Sequence, residues 1–142
     1  MEIKFVVIGE PFGKKRPRAR VIGGHAAIHN DPANERYELK VINAFQQVYP
    51  DNEYPIFPKG AYVGAVIKAT YTIPKAYSKK QTMMAKLGLV KPTKKPDLDN
   101  IAKTILDALN GFVYHDDAQV VSLKIEKVYG DNANVAIEFN CL

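Results

Sequence analysis

Residues 98–110, LDNIAKTILDALN, place the tightest constraint on what this chain can fold into. At helical spacing, Leu98, Ile101, Ala102, Ile105, Leu106, Ala108 and Leu109 cover most of the circumference. A helix so apolar has to be enclosed by the rest of the chain. Its remaining polar stripe, Asn100, Lys103, Thr104 and Asp107, is narrow and should border a cleft or a partner. Gly111 follows as a C-cap.

The flanking segments supply the enclosure. EIKFVVI (2–8) alternates Ile3, Phe5 and Val7 onto one face and predicts a strand. Asp31-Pro32 reads as a helix start, a capping carboxylate before proline at the first helical position. Tyr37, Val41, Ala44, Phe45 and Val48 then recur at helical spacing, so a helix over about 32–49 is expected, ended by Pro50. In AYVGAVIKATYTI, Val63, Ala65, Ile67, Ala69, Tyr71 and Ile73 share one face of a long strand that stops at Pro74. Ser78 can cap a short helix through KKQTMMAKL, closed by Gly88. After FVYHDDAQ a strand places Val121, Leu123 and Ile125 on one face. Gly130-Asp131-Asn132 supplies turn residues, and a last strand points Ala133, Val135, Ile137 and Phe139 inward. The order β-α-β-α-α-β-β describes an α/β (α+β) chain: one small domain over 1–142, a mixed sheet with helices packed on it, and a C-terminal β-hairpin. At 142 residues such a chain can bury roughly 70% of its unfolded surface.

No apolar run approaches the ~20 residues of a membrane span. The start, MEIKFVVIGEPFG, lacks the charged leader and cleavage site of a secretory signal. Cys141 is the sole cysteine, so no internal disulfide can form, which fits a reducing cytoplasm.

Charge is unevenly distributed. Residues 1–50 hold 8 Lys/Arg against 5 Asp/Glu, residues 51–95 hold 9 against 2, and residues 96–142 hold 3 against 8. A basic chain that keeps an acidic patch suggests a polyanion gripped around a metal site. The plainer alternative is a set of solvated charged faces.

Asp97 and Asp99 flank one residue at a helix start, directly after Lys94-Lys95-Pro96. They suit helix capping and the positive end of the helix dipole. They suit equally a shared hard cation such as Mg²⁺, which takes carboxylate, water and phosphate oxygens. Lys103 lies one turn beyond Asp99, as a surface ion pair or as an ammonium beside a bound phosphate. Asp107, a carboxylate near the unfavourable end of the dipole, needs a partner, and Lys103 could serve; with Asn100 it is read as supporting the site. Asp116 and Asp117 form a turn or return a carboxylate to the metal. His115 reads as an exposed loop histidine, and no Cys/His cluster for zinc is present. Lys14, Lys15, Arg16, Arg18 and Arg20 put five cations within seven residues, a density suited to phosphate contact, and Lys94 and Lys95 extend it.

KPDLDNIAKTILDALNGFVYHDDAQVV resembles the signature of the RusA-type Holliday-junction resolvases, with the likeness continuing to Lys127. The early PFGKKRPRAR is similar to a basic segment near the start of these proteins. The resemblance implies a small mixed α/β domain, a homodimer, and Mg²⁺-dependent endonucleolytic cutting of four-way DNA junctions in recombination and repair, with Mn²⁺ able to substitute. Members often occur in prophages. It implies metal-binding catalytic carboxylates at Asp97, Asp99 and Asp117, with Asp116 beside them, and a catalytic lysine at Lys103. A non-catalytic junction-binding protein that keeps the fold and a small-molecule phosphohydrolase are the rival functions.

Overall fold

The computed structural model describes residues 1–15, 18–29 and 31–142, and leaves out the side chains of residues 18–20, 22 and 27–29. Strands β1 (Glu2–Ile8), β2 (Arg18–Ile22) and β3 (His25–His29) lead into helix α1 (Pro32–Val48). Strand β4 (Val63–Thr72), helices α2 (Lys79–Lys86) and α3 (Leu98–Ala108), and strands β5 (Val120–Gly130) and β6 (Asn134–Cys141) follow.

The main sheet has the order β1-β6-β4-β5. β6 pairs antiparallel with β1 and β4, and β4 pairs parallel with β5, so the sheet is mixed as expected. The inward row of Ile3, Phe5, Val7, Val135, Ile137, Phe139 and the alternate residues of β4 is buried with Tyr37, Val41 and Phe45 of α1 and Ile101 and Ile105 of α3. Burying this apolar surface is the principal driving force, at roughly 25 cal/mol per Å².

The C-terminal hairpin is not formed. β4 lies between β5 and β6, so the turn after Gly130 crosses the end of β4. The crossing is close: Ile73 N–H donates to the Gly130 carbonyl at 3.2 Å. A Cβ on Gly130 would meet Thr70 Cγ2 at 2.7 Å, which excludes a side chain there without rearrangement. The basic stretch runs from residue 18 into strand β2. β2 and β3 form a two-stranded hairpin turned by Gly23 and Gly24, whose φ values of 58° and 80° are those that only glycine adopts freely.

Four side chains depart from the expected pattern of burial. Leu98, in the first turn of α3, is exposed, as are Val121 and Leu123 near the start of edge strand β5. Thr104 is buried rather than lining the polar stripe, its hydroxyl donating to the Asn100 carbonyl at 2.9 Å.

Candidate active site

The exposed side of α3 carries Asp99, Lys103 and Asp107 at four-residue intervals, one above another. Asp97 is the N-cap residue, yet its side chain makes no capping hydrogen bond. Its carboxylate is turned outward to Lys95, 3.4 Å away. Capping is therefore not what keeps an acid at this position.

At the other end of α3, Asp116 does cap. It initiates a 3₁₀ turn over Asp117–Gln119, and the Gln119 side chain accepts from the Asp116 and His115 backbone N–H groups. The same Gln119 donates to the carbonyls of Pro58 and Ala61. Asn110 fixes the turn to α3 by accepting from the Asp117 N–H at 2.7 Å. The Asp117 carboxylate is left with no such structural duty.

That carboxylate faces Asp107 and Asp116. Partial burial, and then the hydrogen-bonding proximity of those two acids, push its pKa up to about 6 from 3.8. Tyr114, whose hydroxyl donates to the Leu106 carbonyl at 2.6 Å, lies beneath the same charges. Burial, followed by Asp117, Asp107 and Asp116, raises its phenol far above the ordinary range. The partner of Asp107 is Lys14, at 3.1 Å, and not Lys103.

The acids thus stand in two groups: Asp97 and Asp99 at the start of α3, and Asp107, Asp116 and Asp117 at its end. Eight residues separate Asp99 from Asp107, about 12 Å of helix. Among the described residues, no three Asp, Glu, His or Cys side chains are grouped as a ready metal site. The donor chemistry nevertheless suits a hard cation. The crowded donors are all carboxylate oxygens, they carry more negative charge than Lys14 offsets, and Mg²⁺ is commonly held by one or two carboxylates with water and phosphate.

The basic segment lies alongside. A Cβ on Gly13 would meet Pro96 Cβ at 2.5 Å and Asn100 Cβ at 3.1 Å, so Gly13 permits the segment to press against the start of α3. Asn34 of α1, 4% exposed, clamps the next turn of chain. It accepts from Lys15 N–H at 2.8 Å and donates to the Lys15 carbonyl at 2.9 Å. Arg16 and the side chains of Arg18 and Arg20 lie outside the described residues. Lys94 and Lys95 are exposed in the approach to α3.

A family model described as Endodeoxyribonuclease RusA matches residues 9–140. The chain belongs to the RusA endodeoxyribonuclease family. It is also 37% identical over 137 residues to the uncharacterized protein YqaN of Bacillus subtilis (strain 168), covering 95% of this chain and 93% of that one. The matched span takes in Lys14, both acidic groups and Lys103, so the site described above is part of the family domain.

Asn34, Gly13, Asn110 and Gln119 were not singled out by sequence reasoning. Asp-Asp-Ala-Gln is nevertheless a capping-box spacing. Asn34 falls on the same face as Tyr37 and Val41, where an amide is out of place unless it has a specific partner.

Proposed function

We propose that this chain, acting as one domain, is a Mg²⁺-dependent endonuclease that resolves four-way DNA junctions by nicking phosphodiester bonds. The carrying observation is the exposed carboxylates along α3 beside a basic segment clamped against the same helix. The family assignment supplies the reaction class. Asp97 with Asp99 at the start of α3, and Asp117 with Asp116 and Asp107 adjoining it at the end, would be the two places that offer oxygens to a metal. When bound, Mg²⁺ would polarise the phosphodiester and acidify a water molecule; Mn²⁺ has a similar preference for oxygen.

Lys103 stands one turn from both Asp99 and Asp107, so its ammonium can meet a phosphate presented at either acidic group. Among the described residues it has no carboxylate partner within ion-pair distance. Lys14 and Lys15 would hold flanking phosphates, with Arg16, Arg18, Arg20, Lys94 and Lys95 extending the grip. A homodimer would present two such sites to opposed strands of a junction. The reading places the protein in the cytoplasm; among the described residues no helix is long and apolar enough to cross a membrane.

The test is a labelled four-way junction and a plain duplex, each with Mg²⁺ or EDTA. Paired nicks in the junction only with metal are expected, and Asp99→Asn should remove cutting while preserving binding. The spread of the acids along α3 favours a second reading, a junction binder without catalysis. Retardation with no cutting under any divalent ion would establish it. A further expectation follows from Asp117. A cation has to displace its proton, so Mn²⁺ affinity should rise with pH up to about 6 and level off above. Titration calorimetry across that range would show a flat profile if Asp117 is not a ligand.

A further inference from the structure

Lys127 interrupts an apolar row. On β5 the residues facing the helices are Leu123, Ile125, Lys127 and Tyr129, set opposite Ala65, Ile67, Ala69 and Tyr71 of β4. A lysine in such a row is costly unless its head reaches a polar partner. Here the stem crosses the Tyr71 ring, with Nζ 5.7 Å from its centroid, and the ammonium donates to the Lys94 carbonyl at 2.7 Å. Lys94 Nζ lies 5.3 Å from the centroid of the same ring. Two ammonium groups therefore share one aromatic platform, and among the described residues neither is within ion-pair distance of a carboxylate.

The arrangement is otherwise unexplained. Like charges held together repel, and the Lys94 carbonyl satisfies only one of the three donors on Lys127. An anion with several oxygens would neutralise both ammoniums and take up their remaining donors. Tyr71 is 1% exposed, so the platform is fixed by the core. Its hydroxyl has no hydrogen-bond partner among the described residues, which leaves the ring as its contribution.

We infer that Lys94 and Lys127, held over the Tyr71 ring, form a binding site for one backbone phosphate of the DNA substrate, distinct from the acidic site. The inference rests on the junction-nuclease reading. Its position follows from β5: Lys127 is seven residues beyond Val120, roughly 23 Å from the turn that carries Asp117. It sits instead near the start of α3, where Lys94 leads into Asp97. A DNA arm running along α3 would meet this phosphate site at one end and the Asp107–Asp117 group at the other.

The experiment measures junction binding in EDTA as a function of salt for wild type, Lys127→Gln, Lys127→Arg, Lys94→Gln and Tyr71→Phe. Each lysine-to-glutamine change should weaken binding about threefold to tenfold at moderate salt. Each should also lower the salt slope, by up to about 0.9, the value for one phosphate contact. Lys127→Arg should keep most of the slope, and Tyr71→Phe should match wild type. If wild type binds and nicks but Lys127→Gln keeps its affinity and slope, this site is wrong and the nuclease reading survives. Weaker binding with an unchanged slope would make Lys127 a support for the Lys94 loop only, and overturns the inference as well. A wild type that neither binds nor nicks the junction overturns the nuclease reading itself.

Discussion

Asp117→Asn should abolish junction cutting and, at neutral pH without divalent ions, make the fold more stable. The two effects have one cause. The folded chain holds the Asp117 carboxyl partly buried and facing Asp107 and Asp116, so the proton leaves at about 6 rather than at 3.8. A group whose folded pKa is raised in this way binds its proton more tightly in the native state than in the unfolded one. Stability therefore falls as pH rises from the lower value to the higher, and the whole deficit is present above about 6. Asparagine has the same shape and no charge, and the backbone hydrogen bond to Asn110 does not involve the side chain. Wild type and variant should melt alike well below pH 3.8, and the variant should melt higher above pH 6. Cutting should fall at least a hundredfold, equivalent to about 2.7 kcal/mol of lost transition-state stabilisation. Added Mg²⁺ should raise the melting temperature of wild type by mass action and that of the variant much less. A variant that cuts normally would remove Asp117 from the catalytic set. One that melts lower at both pH values would show the crowding is not destabilising.

The strands, the helices and most of the core were legible because their signal is local. Alternation in 2–8, 63–71 and 135–139 and the spacing of Tyr37, Val41 and Phe45 are set by which residues must leave water. Strand order was not legible, since the turn residues at Gly130–Asn132 are compatible with a hairpin. Only the rival pairing of β4 with both neighbours shows that the turn spans a strand. The Gly23-Gly24 hairpin carried its own marker and was obscured by the density of cations around it. At the site, residue types and the motif were readable, but the division of labour was not. Whether Asp97 caps and Asp116 does not, or the reverse, depends on side-chain direction at two chain turns. Lys14 as the partner of Asp107, 93 residues away, is a tertiary contact with no local trace.

Replacing Asn34 by alanine should damage binding without touching an acid or a base. The amide makes two hydrogen bonds to the backbone of Lys15 and is itself buried. Truncation leaves a part-buried N–H and C=O unpaired, at a cost of roughly 1–3 kcal/mol each. In a chain of this size each kcal/mol lowers the melting temperature by about 2–4 °C, so the two unpaired groups, at roughly 2–6 kcal/mol together, predict a fall of roughly 4–24 °C. Asn34→Asp should recover only part, because a carboxylate still accepts from Lys15 N–H but opposes the Lys15 carbonyl. The functional consequence follows from position. With the clamp gone, residues 14 and 15 keep only looser ties to α1, the Lys15–Asp31 pair at 4.0 Å and the neighbouring Phe12 stacked on Tyr37, and ordering them on DNA costs conformational entropy at the moment of binding. Junction affinity should therefore fall more than for Lys15→Ala alone, with the salt slope nearly kept because the charges remain. Binding measured well below the variant's melting temperature separates this from unfolding. An Asn34→Ala protein that melts early yet binds the junction as tightly as wild type would show that this segment does not grip DNA.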